Sequence, residues 1–329
     1  MSDYASLKAR LDKGDVIILD GAIGTHLQTL GAPMDKTWAA SGLSTHPDTT
    51  RLMHQQYIEA GADVITTNTF SSARHVLMNL GLADMAKELN IRAVALVQQA
   101  RDRAARGRPV WIGAAVSNYG VIAGGNRRMR DAMRSRPRVG FWGEYPELSE
   151  EDTRASIREQ AEVLVMAGAD FLIAESTGTT TQRQWVSEAC MGLGVPVWVG
   201  FKTRLEDGKV MSGYADPETF ESGMDKVLPL GGEVMSIFHS SVEATSASIP
   251  QLRQKWPGPI AVYPDAGRRD YLDRHGDTAT TNATSVADFT RLAKEWVGLG
   301  AQVIGACCGF GPEYIAPLRD ALPKKIPGR

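Results

Sequence analysis

Two adjacent cysteines, Cys307 and Cys308, stand in the stretch IGACCGFGPEYI, between an apolar run and a Gly-flanked turn that leads to a helix starting at Pro312. Neighbouring residues in extended chain point opposite ways. Both thiols reach one ion only if the backbone bends, and Gly309 and Gly311 permit that bend. The third cysteine, Cys190, lies in the amphipathic stretch WVSEACMGL and reads as a small core residue. Three cysteines, two of them contiguous, do not make a disulfide framework. His239, in IFHSS, offers an imidazole to the pair, and two thiolates with one imidazole suit zinc with a fourth position open, the ligand count of a catalytic site. The other reading of His239 is a histidine satisfied by Ser240 or Ser241.

Further polar residues follow the same logic, because each ends or follows a short apolar run: Asp20, Asn68, Glu175, Lys202, His239, Asp265 and the cysteine pair. Any one of them could cap a strand. Together they suggest one mouth where chemistry converges. Lys202 at such a position also opens a second chemistry, attack on a carbonyl through a Schiff base.

The runs that must position these groups are Val16 to Asp20, Val64 to Thr67, Val110 to Ala115, Phe171 to Glu175, Val197 to Phe201, Val234 to Phe238, Ile260 to Pro264 and Val303 to Cys308. Helical stretches separate them: Pro47 to Ala60, Leu82 to Arg106, Glu150 to Ala167, Thr181 to Leu193, Pro217 to Leu228, Val242 to Lys255 and Ser285 to Leu299. The pattern predicts an α/β fold, a (β/α)8 TIM barrel, with residues 1–329 forming one domain. The turns AGAD, AGAD and LGAQ, at Gly61, Gly168 and Gly300, read as Gly-terminated links from helix to strand at the bottom of the barrel. A long Gly- and Arg-rich connection over residues 117–149 departs from this spacing and reads either as a lid or as a solvated basic loop.

Composition narrows the partners. With 36 Lys and Arg against 38 Asp and Glu, a net charge of -2 gives no field to recruit nucleic acid or an anionic membrane. The first 15 residues lack an apolar signal core, and no run approaches the ~18 apolar residues of a membrane span, so a cytoplasmic protein acting on small molecules is expected.

Five stretches, LDGAIGT from Leu19, ITTNTF from Ile65, LIAEST from Leu172, YPDAG from Tyr263 and GACCGFGPEYI from Gly305, resemble the signature of the homocysteine S-methyltransferase family, in order and over nearly the whole chain. The resemblance implies a zinc-dependent barrel that methylates the thiol of homocysteine, giving methionine, from donors such as S-methylmethionine, betaine or methyltetrahydrofolate. It implies zinc ligands at Cys307 and Cys308, with His239 in the place of the family's third cysteine, and an acidic pair for the substrate's amino group at Asp20 and Glu175. Substrate contacts are expected from Asp20, Thr25, Trp38, Asn68, Glu175 and Asp265, and catalytic roles from Asp20, Glu175 and Lys202.

The departures are informative. A histidine ligand carries one negative charge fewer than a cysteine and makes the site more electrophilic. Lys202 stands where the family has a small hydroxyl residue, and AAVSNYG (Ala114 to Gly120) replaces its usual Gly-rich stretch, which leaves the acceptor open. Trp38 matches a tryptophan that packs on the cationic donor in betaine-using relatives, or it packs its own loop; Ser71, where those relatives carry an aromatic, does not support a full betaine cage. A non-catalytic zinc-binding or substrate-binding relative is a third reading. A homo-oligomer, and a separate corrinoid-bearing partner for a chain that brings no corrinoid domain of its own, stay open.

Overall fold

The computed structural model describes residues 4–35, 37–120, 148–214, 216–266 and 284–328. Among the described residues ten strands appear: β1 (Ile17–Ile18), β2 (Val64–Thr66), β3 (Trp111–Ser117), β4 (Phe171–Ser176), β5 (Val197–Phe201), β6 (Thr203–Glu206), β7 (Lys209–Ser212), β8 (Val234–Phe238), β9 (Ile260–Tyr263) and β10 (Val303–Ile304). Eight of them run parallel in the order β1-β10-β9-β8-β5-β4-β3-β2. A parallel bridge from Leu19 to Val64 joins the two ends and closes the cylinder.

The strands read as apolar because both faces are covered: every residue of β3, β4, β5, β8 and β9 is buried. Five of the described helices between them start where the sequence supplies a hydroxyl, while Pro47–Glu59 and Ala86–Ala104 start without one. Ser149, Thr179, Thr219, Ser241 and Ser285 each accept the backbone N–H three residues on, and Thr179 completes a capping box with Gln182. The three predicted bottom turns carry Gly61, Gly168 and Gly300 at φ of 103°, 93° and 97°, where a side chain would be strained.

Several elements differ from the sequence reading. β10 ends at Ile304 rather than Cys308, although the chain beyond it still bonds both neighbours, Gly305 N–H donating to Val262 O, Ala306 N–H to Asp20 O and Cys307 N–H to Pro264 O. The long helix begins at Ala86 after a 3-10 turn over Ala83–Met85, and the helix after β7 spans Phe220–Val227. An antiparallel hairpin, β6–β7, follows β5 and was not anticipated. The N-terminal helix Tyr4–Asp12 packs Tyr4, Leu7 and Leu11 against Trp111, Phe171 and Trp198 of the barrel interior, and Trp198 Nε1 donates to Tyr4 Oη at 3.0 Å. Of the 117–149 connection, residues 121–147 lie outside those described. Among the described residues no helix is long and apolar enough to cross a membrane.

Candidate metal and substrate site

The chain bends where the sequence required it. Gly309 takes φ 84°, and its N–H donates to Thr25 Oγ1 at 3.0 Å, so Thr25 ties the first βα loop to the cysteine turn. Cys307 Sγ and Cys308 Sγ then lie 3.8 Å apart, on the same side. His239, at the end of β8, points its Nδ1 at both sulfurs, 3.4 Å from Cys307 and 3.7 Å from Cys308. Ser240 and Ser241 are engaged elsewhere, Ser240 with Phe238 O and Thr203 N, Ser241 as a helix cap. His239 sits at φ 49°, a left-handed conformation that costs a non-glycine residue of order 1 kcal/mol and is tolerated where surroundings enforce it.

Asp265 completes the cluster. Its Oδ1 is 2.7 Å from His239 Nδ1, and four donor atoms from His239, Asp265, Cys307 and Cys308 fall within 4.8 Å of one another. Burial works against a charge on His239, but Asp265 and Cys308 outweigh it and raise its pKa to about 10. The hydrogen bond from Cys307, aided by the charge of His239, lowers the Cys308 thiol to about 5 against its burial. Cys307, as the donor beside a thiolate, is pushed up. The cluster already favours one thiolate and concentrates anionic donors around an imidazole. Two sulfurs, one nitrogen and one carboxylate oxygen fit a zinc-type ion by number and by softness.

The acidic pair faces the same space. Asp20 Oδ2 accepts from Thr66 N at 2.7 Å and Oδ1 from Thr66 Oγ1 at 2.9 Å. Burial still lifts its pKa to about 8, with Glu175 adding to the rise. Burial lifts Glu175 to about 7, although Tyr263 Oη donates to its Oε1 at 2.8 Å and His239 favours its charge. Two buried carboxyls held short of ionisation can take up a cation, because a neighbouring positive charge favours the ionised form that burial opposes.

A cavity of about 100 Å³ joins these groups. Asp20, Asn68, Glu175, His239, Cys307 and Cys308 line it, together with the rings of Trp38, Phe70, Tyr119, Tyr214 and Tyr263. Asn68 Nδ2 donates to Ala39 O at 3.0 Å and so anchors the loop bearing Trp38. Trp38, at φ 56°, lays its indole over Gly24, where a Cβ would come within 2.0 Å of Nε1. Its ring centroid is 6.4 Å from that of Tyr119, which stands 5.4 Å from Phe70.

Three of the expected site residues do not line the cavity. Thr25 supports the cysteine turn and Asp265 lies against His239. Lys202 is buried with its Nζ 4.8 Å from the centre of the Tyr214 ring, and it donates to Thr203 O at 3.3 Å. Sequence reasoning missed Tyr263, Tyr119, Phe70 and Tyr214. Tyr263 and Tyr119 stood inside the quoted stretches YPDAG and AAVSNYG, where an aromatic at a strand end was the available signal.

Comparison with known proteins agrees with this architecture. The homocysteine S-methyltransferase family profile matches residues 17–322. The Homocysteine S-methyltransferase of Escherichia coli (strain K12) is 27% identical over 330 residues, covering 97% of this chain and 99% of that protein. The Selenocysteine Se-methyltransferase of Brassica oleracea var. italica is 25% identical over 340 residues, covering 97% of this chain and 92% of its own. The crystal structure of the homocysteine methyltransferase MmuM from Escherichia coli, in its metallated form, superposes with a TM-score of 0.69 at 26% identity, covering 95% of this chain and 99% of that one. With the barrel, the paired cysteines and a profile match spanning most of its length, the chain belongs to the homocysteine S-methyltransferase family.

Proposed function

We propose that this chain, working as a single barrel unit, transfers a methyl group from a cationic donor to the sulfur of homocysteine, giving methionine. The observation that carries the reading is one cavity lined by His239, Cys307 and Cys308, with Asp265 against the imidazole, beside two buried carboxyls. His239, Cys307 and Cys308 would hold zinc, with Asp265 as the fourth donor near it. Bound there, zinc would lower the pKa of an acceptor thiol so that the thiolate dominates at neutral pH.

The protein's own groups do the rest. Asp20 and Glu175 take the acceptor's ammonium, oriented by Thr66 and Tyr263. Holding acceptor and donor side by side in one cavity supplies much of the rate through proximity. The donor's methyl must sit on a cationic sulfur or nitrogen, since a thiolate does not displace a neutral thioether or amine at useful rates. The aromatic wall of Trp38, Phe70 and Tyr119 suits such a cation. Reduced thiols persist in the cytoplasm, where we place the reaction.

The Schiff-base reading is disfavoured, because Lys202 is stacked on Tyr214 and is not among the described residues lining the cavity. Elemental analysis of the wild type beside His239→Ala and Cys307→Ser, with methyl transfer from S-methylmethionine to homocysteine measured on each, tests the proposal. Stoichiometric zinc and turnover in the wild type, both lost in the variants, are expected. Full zinc in both variants, or no turnover with any thiol, would overturn it; borohydride trapping of a carbonyl substrate on Lys202 would favour the rival.

A further inference from the structure

Resting on the metal-site reading above, a second device emerges around the imidazole. Tyr214 comes from the turn after the β6–β7 hairpin, and that turn is fixed on every side. Gly213 N–H donates to Lys202 O at 2.8 Å, Tyr214 N–H to Thr177 O at 3.3 Å, and the Arg204 guanidinium to Gly213 O at 3.3 Å and Asp216 O at 3.0 Å. Gly213 adopts φ 59°, and a Cβ there would lie 2.2 Å from Gly178 O, so the turn closes against the loop after β4 only because the residue is glycine. The outcome is a tyrosine ring placed perpendicular to His239, with centroids 5.8 Å apart and planes at 89°. Phe238 stacks on the imidazole at 6.3 Å and 28°. On the Tyr214 ring sits the buried Lys202 ammonium, 4.8 Å from its centre.

A histidine ligand needs such support. An imidazole rotates about two side-chain bonds, and His239 starts from a left-handed backbone that does not by itself fix the ring. We infer that Tyr214 is a positioning residue, in contact with both the Lys202 ammonium and the His239 ring, that holds Nδ1 toward Cys307 and Cys308, and that Lys202 acts on the metal centre through Tyr214. This gives Lys202 a role without a covalent step.

The test uses the full chain loaded with Co²⁺, whose ligand-field and thiolate charge-transfer bands report the donor set, with Co²⁺ and Zn²⁺ affinities from competition with a chromophoric chelator. Tyr214→Leu keeps apolar bulk but no ring; it should weaken both affinities about tenfold or more, in the range for supporting residues of metal ligands, and move the bands toward those of His239→Ala. Tyr214→Phe should keep the wild-type spectrum. Lys202→Met should weaken binding in the wild-type background and have no further effect in Tyr214→Leu. A wild-type spectrum and affinity in Tyr214→Leu would overturn the inference, as would an undiminished Lys202→Met effect in the Tyr214→Leu background. If Tyr214→Leu does not fold, Lys202→Met and Tyr214→Phe decide it: unchanged Co²⁺ affinity in the first, or an altered spectrum in the second, counts against it. A wild type that binds no Co²⁺ defeats the metal reading itself, a separate failure.

Discussion

Replacing Tyr263 with phenylalanine should damage acceptor binding while sparing the metal and the fold. The phenol donates to Glu175 Oε1 at 2.8 Å and stands 3.4 Å from Ser236 Oγ, with its ring 5.7 Å from that of Phe238. Phenylalanine keeps the ring packing and deletes only the hydroxyl. Glu175 then loses its donor in a buried setting, where a hydrogen bond to a charged group is worth about 1.5–3 kcal/mol. The donor also opposes the rise of the Glu175 pKa, already about 7, so its loss pushes that value higher. At neutral pH more of the receptor is protonated and must ionise to take an ammonium.

At 1.36 kcal/mol per factor of ten, the loss corresponds to a roughly ten- to hundredfold rise in KM for homocysteine, with kcat changed little at saturation. The control is a thiol of the same length without the amino group, which does not use the acidic pair. Steady-state kinetics on both acceptors, wild type against Tyr263→Phe, decide the matter. An unchanged homocysteine KM, or equal rises for the two thiols, would refute the claim that Tyr263 acts through Glu175 on the ammonium.

Three further outcomes are expected. Burial raises Asp20 to about 8 and Glu175 to about 7, well above the ordinary carboxylate range, so the folded, acceptor-free chain holds protons that the unfolded chain releases. Their contribution to stability is therefore full below about pH 4 and lost as pH rises through 7 to 8, while acceptor binding improves over the same rise; melting curves of the wild type and Asp20→Asn should converge at low pH, and homocysteine KM should fall from pH 6 to 8. Trp38→Ala should raise the KM of a sulfonium donor by roughly five- to thirtyfold, the worth of about 1–2 kcal/mol of cation–π contact, without moving the acceptor KM; equal effects on both would count against a donor role. Gly213→Ala meets both a positive φ and Gly178 O, and should cost about 2 kcal/mol or more, a fall of roughly 4 °C or more in Tm by calorimetry.

Much of this could be read from residue order because it depends on local pattern. Short apolar runs ending in a polar residue located the eight barrel strands, and the Gly-flanked cysteine pair announced its own bend. What escaped depends on contacts between distant segments. Tyr263 reads as one more apolar residue at the end of β9, and only the barrel brings it to Glu175, 88 positions away. The hairpin escaped for a different reason: Asp207-Gly208, at φ 49° and 74°, is a two-residue turn signal, but a regular barrel has no strand there, and no element is expected between Lys202 and Pro217. Asp265 was assigned to the substrate from its strand-end position, and its contact with His239 required knowing which neighbouring strand end it meets.

That contact bears on the histidine that the family resemblance places where a cysteine is usual. Exchanging a thiolate for an imidazole removes one negative charge from the donor set, and alone it would leave the centre more electrophilic. Asp265 brings a carboxylate within 2.7 Å of the same imidazole, buried and part of the four-donor cluster, and so returns the charge. With an ion held there, the net charge around it would be what three thiolates would provide, but distributed differently, with the carboxylate a harder donor than sulfur. A harder oxygen is the donor that an incoming thiol most readily replaces at a zinc-type ion. The histidine and the aspartate therefore work as a pair, and exchanging His239 alone for cysteine should overcharge the cluster rather than improve it.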